Sequence, residues 1–278
     1  MLREVKDMIG FAIAATDGDV GHVSDFYFDD EAWVIRYLIV ETGPWLLKRK
    51  VLVSPMALRE PAGDVDRFPA RITREQVRNS PSIDTDKPVS RQHELEFYRY
   101  YGYPYYWGSS GSWGAGYYPG AMLTGAGDDR SGSEYLAAQV EQERLVREVE
   151  QRENNDPRLR SCQEVAGYHI EAIDGELGHV QGLLVDQESW AIRYLIVNTS
   201  NWWLGHQVLV APEWITEVSW LDRKVMIDLT RQAIQDSPPY DTAQFPDRAQ
   251  ESRVYEHYGR DGYWHHESRP PRADGDAR

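Results

Sequence analysis

A chain of 278 residues, 41% hydrophobic and 12% aromatic, is long enough for two ordinary domains. Its formal net charge of −15 repels phosphate backbones. Nucleic-acid binding by the surface as a whole is therefore excluded, and an anionic membrane surface is disfavoured on the same ground. The one cysteine, Cys162, cannot close an internal disulfide, which fits a reducing cytoplasm.

No apolar run reaches the ~20 residues that a bilayer crossing needs; the best, residues 34–40, contains Arg36. The opening MLREVKDMIGFAIAATDG has the outline of a secretion signal, with charges ahead of an apolar stretch ending in small residues. It is read instead as part of a fold. MIGFAIAATDG lies in register with VAGYHIEAIDG at 165–175, which is internal and carries His169 and Glu171.

Phe11 and Ile13 alternate ahead of the turn Asp17-Gly18, a strong hairpin signal. A second strand is expected over 20–28. A third spans 33–40, where β-branched and aromatic residues occupy both faces. A short fourth at 51–53 is stopped by Ser54-Pro55, and Phe68, Ala70 and Ile72 alternate loosely in a later strand. Thr73 and Gln76 have capping-box spacing and predict a helical turn. Residues 100–127, rich in Gly, Tyr and Trp, lack aliphatic side chains for a core and read as loop or linker. Residues 134–153 read as a helix, with Ser131 and Glu134 as its capping pair and Asn154-Asn155-Asp156-Pro157 as its stop. Its apolar positions (Tyr135, Ala138, Leu145, Val149) leave Gln142 in the seam, which favours a solvated spacer helix over a coiled coil.

The first pattern then returns at an offset of 157. Of the 42 residue pairs formed by 17–58 and 174–215, 21 are identical. Trp33 matches Trp190, Trp45 matches Trp202, Pro55 matches Pro212, and Ser80-Pro81 matches Ser237-Pro238. Tyr98, Tyr101, Gly102, Tyr106 and Trp107 match Tyr255, Tyr258, Gly259, Tyr263 and Trp264. The chain is a tandem duplication of a whole domain. Short strands and tight turns in each copy predict a mainly β protein of two tandem small antiparallel barrels, joined by a Gly/Tyr-rich linker and one charged helix. The expected boundaries are 1–87 for the first barrel, 88–107 for an aromatic post-barrel segment, 108–133 for the linker and 134–156 for the helix. The second barrel follows at 157–245, its aromatic segment at 246–264, and a disordered tail rich in Pro, Arg and Asp at 265–278.

Asp17, Gly18, Gly21, Val23, Asp29, Trp33, Arg36, Tyr37, Val40, Val51 and Pro55 form a recurring run. Asp174, Gly175, Gly178, Val180, Asp186, Trp190, Arg193, Tyr194, Val197, Val208 and Pro212 repeat it. The run resembles the PRC-barrel family, whose barrel is shared with the cytoplasmic domain of the photosynthetic reaction centre H subunit and the C-terminal domain of the ribosome maturation factor. Residues 80–107 are similar to the tail of many stand-alone bacterial members. The resemblance implies PRC-type barrels and a habit of docking on proteins. The H subunit's N-terminal membrane helix and the maturation factor's separate N-terminal barrel have no counterpart, so neither of those roles is implied.

His22 and His179 follow a glycine at matching places and invite a shared metal or proton site. Strand-edge imidazoles with structural hydrogen bonds are the plainer reading. The other histidines (His93, His169, His206, His257, His265, His266) lack metal-ligand spacing. Asp29-Asp30-Glu31 reads as a solvated hairpin loop, since its partner Asp186-Gln187-Glu188 has one carboxylate fewer. Arg36 and Arg193 sit within apolar strands and need a counter-charge if buried, with Asp29 or Glu31 expected for Arg36. Cys162 reads as an incidental thiol, and no nucleophile–base set, P-loop or dinucleotide fingerprint is present in the sequence. No catalytic residue, cofactor or metal ligand is therefore assigned.

Trp45 and the pair Trp202-Trp203 fall in the loop before the short strand and are candidate interaction anchors, together with His22 and His179, although packing against its own barrel is the plainer role for a loop tryptophan. The expected function is a non-enzymatic adaptor or scaffold, docking protein partners through barrel surfaces and aromatic loops, with self-association through the tyrosine-rich stretch as a further option. Two alternatives stand beside it: a cytoplasmic accessory of a membrane complex, and a ligand- or metal-binding stress protein. The expected location is the cytoplasm, free or peripheral to the inner membrane.

Overall fold

The computed structural model describes residues 1–59, 66–81, 89, 91–103, 106, 159–199, 206–242 and 244–267. The Gly/Tyr-rich linker, the charged helix, Trp107, Trp202, Trp203 and the last eleven residues lie outside the described residues. The fold is mainly β, in two sheets.

In the first sheet the order is β5 (Lys50–Val53), β4 (Val34–Thr42), β3 (Gly18–Asp29), β2 (Ala12–Ala15) and β6 (Arg67–Pro69), with β7 (Leu159–Ser161) also paired to β3. Pairings β2–β3, β3–β4 and β4–β5 are antiparallel, as expected, but β6 runs parallel to β2, with Ile13 opposite Phe68. Neither sheet closes into a ring by strand pairing among the described residues. The second sheet repeats the order as β11 (Gln207–Val210), β10 (Ile192–Asn198), β9 (Gly175–Asp186), β8 (His169–Ala172) and β13 (Lys224–Ile227), and adds β12 (Ile215–Ser219). Its β8 and β13 are again parallel.

Sequence dictates these elements locally. Residues 34–40 are buried throughout, which is why β4 carries apolar side chains on both faces instead of alternating. The turn at Gly18 takes φ +133, a conformation that favours glycine. At Gly21 a Cβ would lie 2.0 Å from the Glu41 carbonyl oxygen, so only glycine lets β3 and β4 approach; Gly178 faces Asn198 at the same distance. Thr73 and Gln76 form both bonds of the capping box that opens α1 (Arg74–Asn79).

The post-barrel segments are helical. The stretch read as loop from Tyr100 onward instead begins as the end of α2 (Arg91–Tyr101), and Gly102 at φ 67 terminates that helix. Leu95 and Phe97, Tyr98 and Tyr101 cluster at helical spacing, a signal that the aromatic composition masked. The second copy has α3 (Cys162–Val165), α4 (Arg231–Gln235) and α5 (Arg248–His257), the last ended by Gly259 at φ 62. The tail expected from residue 265 begins instead within α6 (Tyr263–Glu267), which contains His265 and His266.

The chain packs as two compact units whose limits cut across the copies. The first comprises residues 1, 3–167 and 182–193, the second residues 2, 168–181 and 194–278. Residues 182–193 of the second copy thus belong to the first unit. There Trp190, 2% exposed, packs against Phe26 and Phe68 with ring centroids 6.2 and 5.7 Å away. The Ile35 amide donates to the Trp190 carbonyl over 2.9 Å, and the Ile192 amide to the Trp33 carbonyl over 2.8 Å. Both tryptophans sit at positive φ, 54 for Trp33 and 61 for Trp190. Trp33 itself is half-buried and stacks on Phe28. β7, the segment that leads into the second copy, completes the same unit by pairing Ser161 with Tyr27 and Leu159 with Asp29.

Candidate functional site

The most elaborate polar arrangement in each unit lies beneath its post-barrel helix. Glu94 on α2 is 2% exposed, and its Oε1 accepts hydrogen bonds from the Tyr37 hydroxyl on β4 (3.0 Å) and the Tyr106 hydroxyl (2.7 Å). In the second unit, at the same offset of 157, Glu251 on α5 accepts from Tyr194 (3.0 Å) and Tyr263 (2.8 Å). A buried carboxylate needs such donors, because an unsatisfied one is costly. Burial, and then the neighbouring Glu94, hold the Tyr37 hydroxyl well above its ordinary pKa; burial and Glu251 do the same for Tyr194. Both phenols therefore stay protonated as donors. Phe97 and Tyr98 add edge-on contacts to Tyr37, while Tyr255 meets Tyr194 and Trp214. The arrangement fastens a helix to a sheet. Sequence reading missed Glu94 and Glu251, although their identity at the repeat offset, beside repeated tyrosines, was the available signal.

Arg36 is buried beside Asp29 Oδ2 at 3.4 Å, the counter-charge expected, and its guanidinium lies 4.1 Å from the centre of the Tyr106 ring. Asp29 Oδ1 also accepts the amides of Glu31 and Ala32, closing the acidic turn, and Asp30 pairs with Arg160 at 2.8 Å. These carboxylates are structural. Arg193 bonds Ser189 Oγ at 3.2 Å, with Asp186 at 3.7 Å.

His22 is exposed on β3, while His179 is half-buried on β9 opposite His169 on β8. Among the described residues no group of three or more His, Cys, Asp or Glu gathers as a metal site. Cys162 is buried, and burial, then the charge of Asp25, push its thiol pKa well up, away from nucleophilic use.

Trp45 is half-buried and folds back on its own sheet. Its indole N–H donates to the Val20 carbonyl over 2.9 Å, and the guanidiniums of Arg74 and Arg78 lie 4.3 and 5.7 Å from its ring. What this loop exposes is Leu47, two residues on, at 92%. In the second unit a cavity of about 320 Å³ is lined by Leu209, Pro238, Tyr240, Asp241, Gln250 and Arg253, among others. No described helix is long and apolar enough to cross a membrane.

A family model described as the PRC-barrel domain matches residues 2–72, which hold β1 (Leu2–Glu4) through β6 and the motif residues of the first copy. No curated protein matches the chain.

Proposed function

This chain carries a PRC-barrel domain over residues 2–72, and from that premise we propose that it is a non-enzymatic adaptor that docks protein partners on the surfaces of its two sheets and on their loops. The observation that carries the reading is how the duplicated residues divide. Those kept in both copies hold the scaffold: Gly21 and Gly178 admit the neighbouring strand, and Glu94 and Glu251 pin the helices. Those that differ include Lys48, Arg49 and Lys50, which stand where the second copy has Gly205, His206 and Gln207. One scaffold used twice with unlike surfaces suits a chain that meets two unlike clients, and tethering the two sites raises effective concentration without new chemistry. The groups that could have served catalysis, Cys162 and the buried carboxylates, are spent on packing and structural bonds. On this reading the second copy is a second domain of the same family and the protein works in the cytoplasm.

The test is affinity capture of the tagged chain from its native host, with soluble and membrane fractions analysed separately by mass spectrometry. A partner at near-stoichiometric yield in one of the two fractions is the expected result. Recovery of the bait alone from both fractions overturns the adaptor reading. A second reading, an accessory seated on the cytoplasmic face of a membrane complex, is favoured by the cationic loop around Trp45, and enrichment in the membrane fraction would select it.

A further inference from the structure

We infer that the loop between β4 and β5 in the first unit is a docking tip for an anionic lipid bilayer. Three observations converge on it. First, the loop presents an apolar residue outward: Leu47 is 92% exposed, at the crest of a turn whose neighbours Pro44 and Lys48 are also exposed. Second, its backbone is strained at that crest. Leu47 and Lys48 are consecutive non-glycine residues at φ 56 and φ 55, in the left-handed region that side chains with a Cβ disfavour. The second copy places Gly205 at the Lys48 position, where glycine is the undemanding choice. The turn is held open by backbone bonds from Leu47 to Pro44 (3.2 Å) and from Arg49 to Leu46 (3.1 Å), and by the Thr42 hydroxyl donating to the Arg49 carbonyl (2.8 Å).

Third, cations gather at the crest. Lys48, Arg49 and Lys50 follow Leu47 directly, and Arg74 and Arg78 are drawn to the same end of the unit by the Trp45 ring. Arg49 reaches the end of α1, donating to the Ser80 carbonyl over 3.0 Å. Among the described residues no carboxylate forms an ion pair with any of these five, whereas Arg67, Arg160, Lys224 and Arg260 elsewhere are all paired. Four described carboxylates stand close by: Glu41 lies across the strand pair from Lys50, Asp25 feels the charge of Lys50, Asp17 accepts the Arg74 amide, and Glu75 is exposed on α1. Among the described residues five cations meet four carboxylates there, an excess of one in a chain whose total is −15. Of the five, only Arg74 has a cationic arginine or lysine at its matching place in the second copy, Arg231; the others face Gly205, His206, Gln207 and Gln235.

A bilayer fits this geometry better than a protein surface does. A convex apolar tip needs a partner that opens to receive it, and the acyl–headgroup boundary does so without a preformed pocket. Cations beside such a tip meet anionic headgroups at the depth where they remain hydrated. The chain's overall negative charge acts against approach from a distance, but beyond about 8–10 Å it is screened at physiological ionic strength. The inference goes beyond the adaptor reading, which stands or falls separately by partner capture.

The test is co-sedimentation of the full chain with vesicles of phosphatidylcholine alone and of phosphatidylcholine mixed with phosphatidylglycerol. Binding is expected only to the mixed vesicles, and it weakens with added salt. Leu47→Asp should reduce it about tenfold or more. Lys48→Gly should weaken it about fivefold, from the loss of one headgroup-facing charge. That second variant relieves a left-handed side chain, so its thermal midpoint should hold or rise while binding falls, a split that a merely folding role for Lys48 does not produce. Three results overturn the inference: no sedimentation of the wild-type chain with mixed vesicles, sedimentation unaffected by Leu47→Asp, or capture by polyglutamate in place of vesicles, which would assign the loop to an acidic protein.

Discussion

Tyr106 donates its phenolic hydrogen to Glu94 over 2.7 Å, and the pair is buried. Removing the hydroxyl leaves a buried carboxylate one donor short. Tyr106→Phe should therefore cost about 1–3 kcal/mol in urea unfolding. Tyr263→Phe should cost less, because Tyr263 is only half-buried and solvent can supply the missing bond. Equal losses from the two variants would contradict this account of the node.

Gly21 admits the Glu41 carbonyl where any Cβ would stand 2.0 Å away. Gly21→Ala should separate β3 from β4 and cost roughly 3 kcal/mol or more, at the upper end of overpacking effects. Thermal denaturation checks it, with Gly10→Ala as a comparison: nothing lies within 4 Å of a Cβ there, and only the φ of +88 opposes the change.

Trp190 comes from the second copy in sequence but packs in the first unit. Trp190→Ala should cost about 3–5 kcal/mol, as large aromatic truncations in cores do. Hydrogen exchange locates the damage. Amides of β3, where Phe26 lies, should lose protection, while those of β12 and β13 keep theirs. Loss confined to β12 and β13 would refute the assignment.

Asp25 on β3 supplies the pH dependence. Burial raises its carboxyl above the ordinary 3.8, although the Ser161 hydroxyl and the Phe26 amide bond to it and oppose the shift. Because the folded pKa is the higher one, the folded protein binds the extra proton between 3.8 and the raised value, so stability rises as pH falls through that window and levels off below it. Asp25→Asn removes the cost of burying the charge. The variant should gain on the wild type near neutral pH, and its advantage should shrink as pH falls toward 3.8. An advantage that grows on acidification would mean the shift has the opposite sign.

Cys162 should be inert in the folded state. It is 3% exposed, and burial raises its thiol pKa. Alkylation by iodoacetamide, followed by mass spectrometry, should be slow for the native chain and fast in denaturant. Fast native labelling would return the thiol to the list of functional candidates.

Much of the fold was legible. Asp17-Gly18 marked the hairpin, the alternation of Phe11 and Ile13 marked β2, and Thr73 with Gln76 marked the start of α1, because turn, strand and cap each depend on a few neighbouring residues. The short β1, β7 and β12 escaped. At three to five residues they carry no periodicity; β1 and β7 are made strands by distant partners, and β12 by a hairpin with β13. Of the candidate anchors, Trp45 was found by its place in a loop, and its indole serves its own sheet, the plainer of the two roles expected. Leu47, two residues on, carries the exposure, and that depends on how the turn is held.

The sequence by itself determined that 21 of 42 residues recur at an offset of 157, that short strands and glycine-dependent turns build the chain, and that Arg36 needs an acidic neighbour. These follow from identity at a fixed offset and from local backbone chemistry. Only the tertiary structure decided that residues 182–193 complete the first unit, that Glu94 finds Tyr37 across 57 residues, and that Trp190 is buried while its twin Trp33 is half-exposed. Two copies with the same pattern offer each strand and each tryptophan equivalent partners, so periodicity cannot choose between them, and packing can.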